Sequence, residues 1–285
     1  MIDEHLVADW DEPPRAMSFE ESFRVILDGI SRRAVLLSAP GDPLDPERVE
    51  AALGLYLRAP ALVNLTLNHK ICVEHGLPLH PTVYYELVEA RRYRIRRNPA
   101  ELEAANALFR QAIDLARAAI RLEPDLGVRV ARFSERVPPE LWRFVYSGGG
   151  DRYTWMGAEP ALLRKLAGAA LRDGRPALLV GAAHGAIMPA LVLAEYLGCP
   201  LYFIRLSMFK RQDEEPVVSL ADEAWLSGWR EGPTLLFDED VAGGITLARF
   251  TARLGPLFAD WKSAAVLRHG SAAFRPDYVA RSWWD

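Results

Sequence analysis

Residues 233–247 hold the set of side chains in this sequence that is best suited to chemistry. An apolar run ends in Asp238, Glu239 and Asp240, and a turn of small residues then leads to Gly244 and Thr246 at a predicted helix start. Backbone amides and the positive end of a helix dipole bind anions such as phosphate. Adjacent carboxylates can accept hydrogen bonds from vicinal hydroxyls. Together these groups predict a site for a phosphorylated ribose.

This segment resembles the signature of the type I phosphoribosyltransferases: four apolar residues, an acidic pair, a short turn and Gly-x-Thr. In that family the acidic pair holds the ribose hydroxyls of phosphoribosyl pyrophosphate, and the turn holds its 5′-phosphate. The resemblance implies that Asp238 and Glu239 bind ribose and contact Mg²⁺ weakly, and that Asp240 is catalytic. The phosphate-binding residues that it implies are Val241, Ala242, Gly243, Gly244, Ile245 and Thr246.

The segment departs from the family pattern just before its last glycine. Family members usually have Thr or Ser there, whereas this chain has Ala242 and Gly243. Hydroxyl contacts to the phosphate are therefore lost, although backbone contacts remain possible. Taken alone, the segment also fits an ordinary buried strand followed by an acidic loop.

A second segment, residues 175–191, is predicted to form a buried parallel strand, a glycine-containing loop and the start of a helix. This helix is predicted to run from Met188 to Leu197 and to end at Gly198. It resembles the pyrophosphate loop of the same family. The resemblance implies that Ala183, His184 and Gly185 bind pyrophosphate. His184 stands where arginine is common, and a neutral imidazole binds pyrophosphate less strongly than a guanidinium does. A packed or solvated loop histidine is the alternative.

The C-terminal residues resemble the base-binding end of purine-type members of the family. Their pattern is a strand ending in a basic residue, a Pro-Asp-aromatic turn and a late aromatic side chain. The base-binding residues implied here are Arg268, His269, Trp283 and Trp284. Because alternate strand residues face opposite sides, the strand register decides which of Arg268 and His269 faces a ligand. The two tryptophans could equally anchor the chain end.

The loop after the strand at residues 201–204 is predicted to carry catalytic cations. Lys210 and Arg211 match basic residues that meet pyrophosphate in transferases of this fold, and residues 212–230 would form a mobile lid. A lid excludes water from a reactive transition state. A Lys-Arg pair in a polar loop can also be simply solvated.

Elements that alternate between helix and strand from residue 160 onward predict the fold that holds these loops. We expect a doubly wound α/β domain over residues 149–285, with a mainly parallel sheet of the type I phosphoribosyltransferase kind. Ligands of such sheets bind at the carboxyl ends of the strands. The glycines at 148–150 mark the predicted boundary with a mostly helical region of unknown role at residues 1–148.

Within residues 1–148 we predict several elements from apolar periodicity and capping signals. The predicted elements are a helix entered through a capping box of Ser18 and Glu21, a helix from Pro46 to Arg58 broken by Pro60, an undetermined helix or strand at 61–75, helices at 82–97 and 99–122, and a strand at 127–133.

Composition and charge exclude several classes of protein. The chain has 285 residues, of which 50% are hydrophobic, and a net charge of -4, which disfavours nucleic acid as a partner. Five arginines at residues 91–97 are read as a solvated helix end rather than a nucleic-acid site. Cys72 and Cys199 have no metal-like spacing, and His69, His75 and His80 do not complete a site with Cys72. We expect a cytoplasmic protein without a membrane segment.

The function expected from this sequence is transfer of the phosphoribosyl group of phosphoribosyl pyrophosphate to a nitrogenous, purine-like base, with release of pyrophosphate. The expected cofactor is Mg²⁺, the partner is a small-molecule substrate, and the chain could pair as a homodimer. One alternative is a non-catalytic regulator that senses a phosphoribosyl ligand through the same fold. Another is a phosphorylase or hydrolase that acts in the opposite direction on a nucleotide.

Overall fold

The structure, a computed structural model, describes residues 1–208 and 211–283, and of Trp283 only the backbone. The chain forms two compact units. The first comprises Met1–Asp9 and Pro13–Gly150, and the second comprises Trp10–Glu12 and Asp151–Asp285. The short segment Trp10–Glu12 therefore belongs to the second unit although it lies near the N-terminus.

The elements of the first unit are β1 (Phe19–Ser22), α1 (Phe23–Ser38), α2 (Pro46–Glu74), α3 (Ala90–Tyr93), α4 (Pro99–Arg121), α5 (Leu126–Ser134) and β2 (Val145–Gly148). Those of the second are α6 (Arg152–Gly157), α7 (Pro160–Leu171), β3 (Leu178–Ala183), α8 (Ile187–Leu197), β4 (Leu201–Arg205), α9 (Leu220–Ser227), β5 (Thr234–Val241), α10 (Ile245–Leu254), β6 (Trp261–His269) and β7 (Tyr278–Trp283). Short 3-10 turns lie at Ile2–His5, Arg15–Met17, Leu87–Glu89, Leu141–Arg143 and Gly255–Leu257.

The first unit is a helical core with one short antiparallel pair of strands. Helix α2 packs against both α1 and α4, and β1 pairs antiparallel with β2. The start of α4 agrees with the sequence: the Asn98 side chain accepts a bond from the Glu101 amide, and the Glu101 side chain accepts one from the Asn98 amide. Helices therefore dominate this region, as predicted.

Two predicted helix boundaries in this unit are wrong. Residues 19–22 form β1, because they pair with residues 145–148, and the helix starts only at Phe23 with Ser22 as its cap. Pro60 lies inside α2 and does not end it. A proline in a helix interior costs about 3 kcal/mol, but both turns around Pro60 are buried, and the packing of these apolar side chains offsets that cost.

Two further predictions in this unit are also wrong. Residues 82–97 form only a 3-10 turn and the short α3, because the amide of Ile95 donates to the carbonyl of Gly76 and Arg94 has a φ of 48°. Residues 127–133 lie in α5 rather than a strand. The buried side chains of Val130 and Phe133 are three residues apart, which is helical spacing.

The second unit contains a five-stranded sheet in the order β4-β3-β5-β6-β7. All four neighbouring pairs are parallel, and every residue of β3 and β4 is buried. This confirms the predicted doubly wound α/β fold. The strand order reverses between β3 and β5, which is the place where open α/β sheets bind ligands.

The helices of this unit largely match their predicted bounds. Helix α7 covers Pro160–Leu171 as predicted. Helix α8 ends at Gly198, which has a φ of 62°. Glycine is the residue that adopts this left-handed conformation at the lowest cost. No helix within the described ranges, 1–208 and 211–283, is long and apolar enough to cross a membrane.

Candidate functional site

A cleft of about 400 Å³ opens at the carboxyl ends of β3 and β5, at the reversal of strand order. Its size is that of a small-molecule site. Four chain segments supply its walls: α6 with its cap, the loop after β3, the loop after β4, and the loop after β5. The lining residues are Asp151, Tyr153, Thr154, Ala182, His184, Gly185, Leu206, Ser207, Met208 and the run from Asp238 to Leu247.

The loop of residues 241–246 leads directly into the N-terminus of α10. The first backbone bond of that helix runs from the Ala248 amide to the Gly244 carbonyl, so the preceding amides of the first turn have no partner inside the helix. Gly244 has a φ of +84°, and a Cβ there would lie 2.6 Å from Cβ of Phe274. Glycine at 244 thus lets the loop bend tightly beside a positive helix end, which suits phosphate.

The acidic pair lies at the end of β5, on the floor of the cleft. Asp238 is only 5% exposed, and the Glu239 amide donates to its Oδ1 at 3.0 Å. Burial raises the pKa of Asp238. Burial and the neighbouring Asp238 carboxylate raise the pKa of Glu239 well above its ordinary value. Both directions follow because removing two neighbouring carboxyls from water disfavours their charged forms.

The loop after β3 passes directly beneath Glu239. A Cβ on residue 185 would overlap Oε1 of Glu239 and lie 2.8 Å from its Oε2. The Ala183–His184 peptide bond is cis, and His184 lines the cleft. Ala183 is buried as the last residue of β3, and its carbonyl accepts a bond from the Leu206 amide. Of the predicted pyrophosphate residues, His184 and Gly185 therefore reach the cleft, and Ala183 does not line it.

Asp240 and His269 form a contact on the side of the cleft. Nε2 of His269 lies 3.1 Å from Oδ1 of Asp240, and the imidazole makes a T-shaped contact with the Tyr153 ring, with ring centres 5.0 Å apart. Burial raises the pKa of Asp240 to about 6, although His269 acts in the opposite direction. Asp240 lines the cleft, whereas His269 lies behind it.

The strand register separates the two candidate basic residues of β6. Arg268 pairs with Val241, and its guanidinium donates to the carbonyls of Ala272 and Phe274 in the following loop. The Arg268 guanidinium is therefore hydrogen-bonded to backbone carbonyls, and Arg268 does not line the cleft. Of the two side chains, that of His269 contacts Asp240 and Tyr153, which line the cleft. Trp284 and the Trp283 side chain, also predicted to bind base, lie outside the described residues.

The loop after β4 enters the cleft through Ser207 and Met208. Buried Arg205 forms two bonds with buried Asp213, at 2.8 and 3.0 Å, and Asp213 also accepts from the Ser207 amide. Lys210 lies outside the described residues, and Arg211 is not among the lining residues.

Several residues of the predicted lid, 212–230, are packed against the rest of the unit. Asp213, Asp222 and Leu226 are buried. Asp222 accepts a 2.6 Å bond from the Tyr202 hydroxyl of β4, and α9 spans Leu220–Ser227. Buried polar groups with partners hold this segment against the sheet.

Sequence reasoning missed α6, which covers one side of the cleft. Tyr153 and Thr154 both line it, and Oγ1 of Thr154 donates to Oε1 of Glu239 at 3.3 Å. Gly157 lies so close that a Cβ there would be 3.2 Å from Cβ of Glu239. One sequence signal pointed to this helix: Asp151 follows the glycine run and caps the amide of Thr154.

The cleft is acidic in the part of the chain that the structure describes. Its ionisable lining side chains there are Asp151, Asp238, Glu239, Asp240, Tyr153 and His184, with no Lys or Arg among them. No group of three or more His, Cys, Asp or Glu able to hold a metal occurs within these ranges. Oε2 of Glu239, however, is buried without a hydrogen-bond partner there, so a cation that also binds ligand oxygens fits this atom.

Several solved structures similar to this chain are phosphoribosyltransferases. A purine phosphoribosyltransferase from Pyrococcus horikoshii is 24% identical, with a TM-score of 0.37, over 45% of this chain and 86% of its own. The C-terminal half resembles purine phosphoribosyltransferases. A xanthine-guanine-hypoxanthine phosphoribosyltransferase from Helicobacter pylori is 20% identical, with a TM-score of 0.34, over 44% of this chain and 84% of its own.

A third solved structure, a hypoxanthine phosphoribosyltransferase from Trypanosoma cruzi in complex with the product IMP, is 17% identical. It has a TM-score of 0.36 over 44% of this chain and 76% of its own. No protein-family model matches the sequence, and no curated protein matches it. The similarity concerns the fold of the C-terminal half.

Proposed function

We propose that the second unit binds phosphoribosyl pyrophosphate and transfers its phosphoribosyl group to a nitrogenous, purine-like base. The observation that carries this proposal is the pairing of Asp238 and Glu239 with the amide-rich start of α10 in one cleft. A diol-accepting pair and an anion-binding helix end are the two kinds of group that a ribose phosphate needs. Their position at the reversal of strand order supports the same conclusion.

In this proposal the residues divide the ligand among them. Asp238 and Glu239 accept hydrogen bonds from the ribose hydroxyls, which replaces the repulsion between two buried carboxylates with favourable contacts. The backbone of residues 241–246 binds the 5′-phosphate. Ile245 and Thr246 both line the cleft, and we assign Ile245 a contact through its amide and Thr246 a contact through its hydroxyl.

The pyrophosphate would lie between the loop after β3 and the loop after β4. His184, Gly185 and Ser207 line that side of the cleft, and we assign Lys210 and Arg211 the role of added positive charge. Mg²⁺ held by Asp238 and Glu239 would neutralise charge on the pyrophosphate. Catalysis would then come mainly from orientation of the ribose and from fixed charges around it.

The base would lie on the remaining side, beside Asp240. The Asp240 carboxylate can accept a hydrogen bond or a proton from a ring nitrogen of the base. Nε2 of His269 lies 3.1 Å from Oδ1 of this carboxylate. Tyr153 is 40% exposed and offers an aromatic face in the cleft. Base–aromatic stacking contributes about 1–3 kcal/mol per base.

The first test is calorimetric titration with phosphoribosyl pyrophosphate and Mg²⁺. We expect binding by wild type and a loss of at least about tenfold in Asp238→Asn with Glu239→Gln, because two charged hydrogen-bond acceptors are replaced. A matched control is Glu231→Gln with Asp260→Asn, which changes the net charge by the same amount. These two residues are exposed and lie just before the amino ends of β5 and β6, whereas the cleft is at the carboxyl ends of the strands. Wild type that fails to bind would reject the proposal.

One observation favours a second function, a non-catalytic sensor of a phosphoribosyl ligand. The described lining has four carboxylates and no Lys or Arg, which suits one phosphate on a helix end better than a pyrophosphate. Release of pyrophosphate with a panel of purine bases separates the two functions. Turnover supports the transferase, whereas tight binding of nucleoside monophosphates without turnover supports the sensor.

A further inference from the structure

Trp10, which lies near the N-terminus, contacts α6, the helix that contacts Glu239. Its indole stacks on that of Trp155 with ring centres 4.4 Å apart and planes inclined by 20°. Next to it, the carbonyl of Asp11 accepts a 3.2 Å bond from Nε of Arg152. Trp155 is fully buried in α6, so the segment Trp10–Glu12 holds this six-residue helix from outside.

Helix α6 needs such support because it is too short to be stable by itself. It nevertheless makes two close contacts with Glu239. Thr154 donates to Oε1 of Glu239 at 3.3 Å, and Gly157 approaches the Glu239 backbone so closely that a Cβ would lie 3.3 Å from its carbonyl oxygen. Displacement of α6 would therefore remove a hydrogen bond to the Glu239 carboxylate and a close contact with the Glu239 backbone.

We propose that Trp10 is a positioning residue for ligand recognition, acting through α6 to hold the Glu239 carboxylate where it meets the 2-hydroxyl of ribose. The proposal rests on the proposed ribose phosphate site. It assigns to a residue at the other end of the sequence a role in distinguishing ribose from deoxyribose. Trp10 itself does not line the cleft, so its effect is indirect.

The experiment measures dissociation constants for ribose 5-phosphate, 2-deoxyribose 5-phosphate and inorganic phosphate. The ratio of the deoxyribose to the ribose constant reports the hydroxyl contact, and inorganic phosphate reports the 241–246 loop alone. In Trp10→Ala we expect the ratio to fall at least about 10-fold toward 1, as for loss of one hydrogen bond to a charged group. Affinity for inorganic phosphate should stay within about twofold.

Trp10→Phe is the matched rescue, because phenylalanine keeps an aromatic face against Trp155 and should restore most of the ratio. Thr154→Val removes the hydroxyl that donates to Glu239 without changing the size of the residue, and should lower the ratio in the same direction. If Trp10→Ala fails to fold, Arg152→Gln replaces it as the test. This substitution at an exposed residue removes the hydrogen bond from Arg152 to the Asp11 carbonyl, which is the second contact between the segment Trp10–Glu12 and α6.

Three results would count against the proposals, and they can be told apart. If wild type does not bind ribose 5-phosphate, the proposed function fails. If wild type discriminates between the two sugars and both Trp10→Ala and Thr154→Val keep the wild-type ratio, the positioning role of Trp10 is overturned while the proposed function stands. A uniform loss of affinity for all three ligands in Trp10→Ala also overturns it, because that result indicates general damage to the fold.

Discussion

The carboxylate of Glu239 lies directly above Gly185, in space that a side chain at residue 185 would need. The two residues come from different strands and meet because β3 and β5 are neighbours in the sheet. One acidic group of the proposed ribose site is thereby in contact with the loop proposed for pyrophosphate. The absence of a side chain at residue 185 is what makes this contact possible.

Gly185→Ala is expected to displace Glu239 without unfolding the protein. The added methyl group overlaps only the flexible end of the Glu239 side chain, so the chain can adapt by moving the carboxylate. Affinity for ribose 5-phosphate should fall about tenfold, as measured by calorimetry. Gly168→Ala, at an open site in helix α7, is the control and should bind normally. Equal binding by both variants would contradict this relationship.

Gly244→Ala should be much more harmful than Gly243→Ala. At residue 244 the backbone is left-handed and a Cβ would lie 2.9 Å from the backbone nitrogen of Phe274, whereas residue 243 has open space around it. Left-handed backbone costs about 1–2 kcal/mol for a residue with a side chain. We expect Gly244→Ala to lower the free energy of unfolding by at least that amount and to weaken phosphate binding. Denaturant titration and phosphate binding of both variants test this, and equal effects would refute it.

Tyr153→Ala is expected to weaken ligands that carry a base and to spare those that do not. Loss of one stacking face corresponds to about 1–3 kcal/mol, so affinity for a purine nucleoside monophosphate should fall while that for ribose 5-phosphate is unchanged. Tyr153→Phe keeps the ring and should behave as wild type. If the alanine variant binds both ligands normally, the base does not lie on Tyr153.

The buried pair of Arg205 and Asp213 should be sensitive to removal of either partner. Their side chains are 2% and 1% exposed, and an unpaired buried charge costs about 3–5 kcal/mol. We therefore expect Arg205→Met to lower the free energy of unfolding by about that amount, and Arg205→Met with Asp213→Leu to recover part of it. Lys262→Met removes an exposed pair at 3.9 Å and should cost under about 1 kcal/mol. Denaturant unfolding of the three variants measures this, and similar costs for both pairs would count against it.

His69 should make stability depend on pH in the acid range. It is 4% exposed, neither ring nitrogen has a hydrogen-bond partner among the described residues, and burial lowers its pKa to about 4. The unfolded chain binds the proton first, at the ordinary pKa of about 6.5. The contribution of His69 to stability is therefore complete above pH 6.5 and is lost as the pH falls toward 4, by up to about 3 kcal/mol.

His69→Leu removes this titration and should flatten the corresponding part of the pH profile. Free energies of unfolding between pH 4 and pH 8 compare the variant with wild type. A profile as steep in the variant as in wild type would show that other groups cause the acid sensitivity.

Much of the second unit could be predicted from local sequence. Unbroken apolar runs identified β3, β4 and β5, because strands covered on both faces contain few polar residues. Asp238, Glu239 and residues 241–246 could be found as a group because they are contiguous and their functions depend on local backbone. Gly198 marked the end of α8 through its own conformational preference.

Other features depend on residues far apart in sequence. The start of α1 was misplaced because pairing of Phe19–Ser22 with Val145–Gly148 overrides a local capping signal. Pro60 remains inside α2 because packing against other helices offsets its local cost. His269 rather than Arg268 meets Asp240 because of the register between β5 and β6, which neither strand specifies alone.

By itself, the sequence determined the type of fold of residues 149–285 and predicted a group of residues for a ribose phosphate, since both follow from short-range patterns. The tertiary structure alone decided that α6 covers the acidic pair and that Tyr153 and Thr154 face the cleft. It also placed Trp10 on Trp155, which is 145 residues away in the chain (155 − 10). Such contacts form because the burial of apolar surface stabilises a pair of side chains whatever their separation in sequence. No local sequence pattern therefore predicts them.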